Sequence, residues 1–166
     1  MALTGSTAEA LTLQFDELKR RTEEDLEIFP KTGEILLTLM IGANDLCMWD
    51  CRRPFEQLNS FREHLKKFIG KVFEYFGARI IVLIGEIPAL EGIPQRAKGS
   101  LMETFAVLEC PCAYSLNYPF ADRIDLYNQV IRNLSSDSMI VTTVLREEEL
   151  KDWPGKMTSE LDAFHP

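Results

Sequence analysis

The chain has 166 residues, a formal net charge of −8, 46% hydrophobic and 27% charged residues, the balance of one globular domain with enough apolar mass for a core. The surplus of carboxylates argues against a nucleic-acid or anionic-membrane surface, because phosphate binding needs clustered Lys and Arg. No apolar run approaches the roughly 20 residues of a membrane span, and the opening MALTGSTAEAL is too polar for a signal segment.

Residues 7–24 are predicted as a helix, with Leu11, Phe15 and Leu18 at helical spacing and Ser6 and Glu9 placed as a capping box. Residues 35–41, ILLTLMI, form a short continuous apolar run, the pattern of a strand buried on both faces. Residues 54–76 carry the clearest helical signal. Phe55, Leu58, Phe61, Leu65, Phe68, Ile69, Val72, Phe73 and Phe76 recur at steps of three and four, Pro54 suits the first turn, and Gly77 suits the stop. Residues 79–85, RIIVLIG, read as a second buried strand. Residues 88–117 are rich in Pro and Gly, with a short helix near 101–108. A further helix over 118–134 keeps Phe120, Ile124, Tyr127, Ile131 and Leu134 on one face. Residues 139–145, MIVTTVL, are a third strand, and the polar tail 146–166 ends in DAFHP.

Buried strands alternating with amphipathic helices imply an α/β fold with a parallel sheet joined by right-handed crossovers. Three strands are few for this class. Residues 35–41 would then sit at an edge, although their composition is that of a central strand, so the sheet reads as incomplete on its N-terminal side.

The four cysteines are Cys47, Cys51, Cys110 and Cys112. The C-x3-C and C-x-C spacings suggest zinc, but structural zinc prefers other spacings with a His close by, and neither His64 nor His165 is near in sequence. An even count in loops fits disulfides and an oxidising compartment better, and buried thiols fit the same pattern.

Three places could carry chemistry. Asn44 follows the first strand in LTLMIGANDLCMW, residues 37–49. Asn-Asp is ordinary turn chemistry, yet open parallel sheets also bind ligands beyond the carboxyl ends of their strands. Gly5 stands at the start of the first helix, where a backbone N–H favours negative charge. Asp162 and His165 are three residues apart, so that on a tight turn the carboxylate can accept the Nδ1 proton and orient the imidazole. A backbone N–H and a side-chain amide converging on one spot would make an oxyanion hole. His64 reads as a solvated residue on the polar face of the long helix, Trp49 and Trp153 as packing residues, and REEEL at 146–150 as a solvated face.

These blocks, in this order, resemble the SGNH (GDSL-type) ester hydrolases, and more closely the phospholipase B-like lipases among them. LTGSTAEALTLQFDELKRR resembles the Gly block and its helix, with Gly5 in the matching position. IGANDLC, residues 41–47, resembles the GxND block, with Asn44 as the oxyanion donor. YNQVIRNL, residues 127–134, resembles the helix before the last strand. DAFHP resembles the DxxH block, with Asp162 as orienting acid and His165 as general base.

The resemblance implies a three-layer flavodoxin-like fold, here without its N-terminal part and its closing C-terminal helix. It implies hydrolysis of a carboxylic ester, lipid or phospholipid, with no metal and no organic cofactor. It also implies a secreted, lumenal or membrane-associated location, and cysteines at Cys47 and Cys51 like those of the phospholipase B-like branch. Where some relatives carry a Cys between the Asp and the His, this chain has Ala163, so the disulfide pairing stays open.

The chain departs from the family in having no GDS block. Ser6 is explained as a helix cap, only four residues precede Gly5, and Ser100, Ser115, Ser135, Ser136, Ser138 and Ser159 lie in loops without nucleophile context. The expectation is therefore an ester-hydrolase fragment without its nucleophile, inactive alone and of low stability. The alternative is a non-catalytic lipid- or protein-binding relative on the same scaffold. Nothing in the sequence speaks to the oligomeric state.

Overall fold

The computed structural model describes residues 6–24, 33–47, 51, 54–88, 90–99, 102–115, 119–134 and 140–143. A 3-10 turn, Ala8–Ala10, leads into α1 (Leu11–Glu24). There follow β1 (Ile35–Met40), α2 (Ala43–Cys47), α3 (Pro54–Phe76), β2 (Ile80–Gly85), α4 (Ile93–Ala97), α5 (Met102–Glu109), α6 (Phe120–Leu134) and β3 (Ile140–Thr143). The three strands form one parallel sheet in the order β1-β2-β3. Ile35 pairs with Ile80 and Met40 with Gly85, while Val82 pairs with Ile140 and Gly85 with Thr143. All three strands therefore deliver their carboxyl ends to the same rim, where ligands bind in open parallel sheets.

The helices form where the apolar spacing predicts them. In α3, Leu58, Phe61, Leu65, Phe68, Ile69, Val72 and Phe76 are buried along one stripe. The helix ends at Phe76 because Gly77 adopts φ +64°, a left-handed conformation that suits glycine. Phe61 stacks at a tilt on Tyr127 of α6 with ring centroids 4.7 Å apart. Phe15 of α1 meets Phe68 edge-on at 6.4 Å. Together with Ile80, Val82 and Ile84 of β2, these side chains make one continuous core. Each fully buried Leu, Ile or Phe there contributes about 1.5–3 kcal/mol of transfer free energy.

Two sequence expectations need correction. β1 and β2 are not buried on both faces. Ile80, Val82 and Ile84 point into the helices, but Leu36 is 65%, Met40 53% and Ile81 41% exposed on the opposite face. A continuous apolar run reports composition only, and whether a layer covers the second face depends on the rest of the fold. The Ser6–Glu9 capping box does not form either. The N-cap position belongs to Thr7, whose side chain makes no capping bond, and the orphan N–H of Ala8 is taken by a carboxylate from α2 instead.

Candidate active site

The chain leaves β1 at the carboxyl rim and turns at Gly42, where φ is +109°. A side chain there would also be crowded. A Cβ on Gly42 would stand 2.6 Å from Ile87 Cδ1 and 3.2 Å from the Phe61 ring. The turn closes at once into α2, with the Leu46 N–H donating to the Gly42 carbonyl at 3.0 Å. Leu46 and Cys47 are buried, so Asn44 and Asp45 stand at the start of a short helix anchored from below.

Support for this turn comes from three directions. Ile87, which fills the space beside Gly42, is clamped by Asn128 of α6. The Ile87 N–H donates to Asn128 Oδ1 at 2.8 Å, and Asn128 Nδ2 donates to the Ile87 carbonyl at 3.0 Å. One side-chain amide thus satisfies both backbone polar groups of a buried residue, as buried polar groups require. Just before it, Glu86, buried at the end of β2, receives both Nε and Nη2 of Arg132 at 2.8 and 2.6 Å, a bidentate pair. From the third side, disulfides join Cys47 to Cys110 and Cys51 to Cys112. All four cysteines are therefore oxidised and paired across the fold, which removes them as thiolate ligands for zinc.

Asn44 and Asp45 both reach the segment that begins α1. Asn44 Nδ2 donates to the Ser6 carbonyl at 3.1 Å. The Ala8 N–H donates to both carboxylate oxygens of Asp45, at 3.1 and 3.0 Å. Burial raises the Asp45 carboxyl from the usual 3.8 to about 6, and the Glu9 charge adds to the rise. The bonds from the Ala8 and Asp45 backbone N–H groups pull the other way without cancelling it.

The structure thus brings the Asn44 turn against the residue that follows Gly5. Gly5, Asp162 and His165 themselves lie outside the described residues. Asp45 is the residue that sequence reasoning missed. Asn-Asp signalled a local turn, whereas the carboxylate acts on a backbone N–H 37 positions away, and nothing in the local spacing encodes that partner.

A parallel α/β sheet, with an asparagine just past the carboxyl tip of β1 packed against the segment that opens α1, is compatible with the framework of an SGNH-type hydrolase. The whole chain, residues 1–166, matches the family model described as GDSL-like lipase/acylhydrolase, and the chain belongs to that family of ester-bond hydrolases. No curated protein and no solved structure matches it.

Proposed function

We propose that the chain carries the oxyanion and acid–base half of an ester-hydrolase site of the phospholipase B-like kind. Gly5 and Asn44 are the oxyanion donors, and Asp162 and His165 are the orienting acid and general base. In this reading a serine attacks the ester carbonyl, His165 takes its proton and returns it to the leaving alcohol, and Asp162 holds the imidazole in the productive tautomer. One Asn44 N–H is spent on the Ser6 carbonyl, and the other serves the developing oxyanion. A lost donor of this kind typically costs about 10²–10³ in rate. No serine of this chain fills the nucleophile role, so the chain alone does not turn esters over. Its two disulfides suit a secreted or lumenal location.

The observation that carries this reading is the Asn44–Ser6 bond, because it ties the GxND block to the residue next to Gly5. The test has two arms. A serine-reactive fluorophosphonate is expected to label no serine, and labelling at any of them would overturn the missing-nucleophile claim. Octanoate, the carboxylate that ester hydrolysis releases, is expected to shift the Asn44 side-chain N–H resonances saturably at neutral pH. Unmoved resonances would end the oxyanion assignment.

A further inference from the structure

The contact between the Asn44 turn and the start of α1 has two points, and they come from neighbouring side chains. Asn44 holds the Ser6 carbonyl and Asp45 holds the Ala8 N–H. Ser6 and Ala8 flank Thr7, whose backbone is extended (φ −95°, ψ 170°) and whose side chain makes no capping bond. The segment before α1 therefore receives its register from α2 rather than from its own side chains. One hydrogen bond fixes a distance, whereas two bonds on residues two apart also fix a direction, so the segment can neither slide nor swing against the turn. The turn in turn cannot yield. Gly42 leaves no free space for a Cβ beside Ile87 and Phe61, and Cys47 is tied to Cys110.

We propose that Asp45 is a positioning residue of the oxyanion site: by holding the Ala8 N–H it keeps the Ser6–Ala8 backbone seated against the Asn44 amide, an oxyanion donor. The proposal rests on the assignment of Asn44 as an oxyanion donor. The chemistry suits the task. A carboxylate at the positive end of a helix accepts a charge-assisted bond, and both oxygens share one N–H, which tolerates small rotations without release. Oxyanion donors act by being preorganised, so a device that fixes the Asn44 amide acts on the transition state without touching it.

The experiment uses nuclear magnetic resonance on the oxidised chain with two variants. Asp45→Ala removes the acceptor, and Asp45→Asn keeps an acceptor oxygen in the same place. The positioning role predicts that Asp45→Ala speeds Ala8 amide exchange about fivefold or more, the effect of a lost helix cap. It also predicts that the Asn44 side-chain resonances move to free-amide positions, which a merely local cap would not cause. Asp45→Asn is expected to keep the Asn44 resonances near their wild-type positions. Asn44 resonances that stay put in Asp45→Ala, with circular dichroism unchanged, overturn the proposal. Equal disturbance in both variants overturns it too, because the acceptor would then not be what matters. Octanoate added to each protein separates the two readings. An unresponsive Asn44 in the wild type defeats the oxyanion assignment itself. A response of equal affinity in the wild type and in Asp45→Ala defeats only the positioning role.

Discussion

Replacing Asp45 with asparagine preserves shape and an acceptor oxygen but removes the charge, and the structure predicts that this stabilises the protein at neutral pH. The folded-state carboxyl is raised from 3.8 to about 6, chiefly by burial and secondarily by Glu9. At about 1.4 kcal/mol per pH decade, the ionised side chain is about 3 kcal/mol less favourable in the folded chain than in the unfolded one. Because the folded pKa lies above the unfolded value, the folded chain binds more protons between roughly pH 4 and pH 6, and stability falls as pH rises through that window. The loss is complete above the folded pKa and absent below the unfolded one. Asparagine has no such dependence. In urea denaturation of the oxidised protein, Asp45→Asn is therefore expected to exceed the wild type by about 1–3 kcal/mol near pH 7.5 and to match it within about 0.5 kcal/mol near pH 4. A variant no more stable than the wild type at the higher pH, or one with the same advantage at both, would refute the reasoning.

Other expectations follow from the same region. Gly42→Ala puts a Cβ against Ile87 and Phe61 at φ +109° and is expected to cost about 2 kcal/mol or more, read as a lower urea midpoint. Asn128→Ala strips their side-chain partner from both the Ile87 N–H and the Ile87 carbonyl and is expected to cost about 2–4 kcal/mol by the same measurement. The disulfides should be non-additive. Each alone closes a separation of 63 or 61 residues, worth ~4 kcal/mol, but the second to form closes a ring of only about eight residues, worth ~2.5 kcal/mol. Replacing either pair by alanine is then expected to cost about 2.5 kcal/mol, and replacing both to exceed the sum of the two by about 2 kcal/mol. Strict additivity in a double-mutant cycle would contradict this interleaving.

The long helices were legible because their burial is written in local periodicity. Residues 54–76 and 118–134 were predicted, and Pro54–Phe76 and Phe120–Leu134 form. The parallel sheet was legible from its apolar runs, and β1 lies at an edge among the described residues. What stayed hidden depends on distant partners. ILLTLMI does not disclose that Leu36 and Met40 face away from the helices. Ser6 and Glu9 look like a cap, and the local pattern cannot reveal that Asp45 takes the Ala8 N–H from another element. The cysteine spacings left zinc, thiols and disulfides open, because pairing is decided by where α2 and the 3-10 turn Pro111–Tyr114 meet. At the site, Asn44 was legible as a residue beyond a strand tip, while the groups that hold it in place, Ile87 and Asn128, come from β2's exit and from α6.

The side-by-side bridges also bear on how the chain is assembled and how it resists reductants. Once either bond has closed, the remaining two thiols face each other at a very high effective concentration, so a half-oxidised molecule is short-lived. A reductant that opens one bridge meets a neighbour that holds the broken ends in place for resealing. The anchorage of the Asn44 turn is thus redundant, and the turn comes loose only when both links are severed within one resealing time.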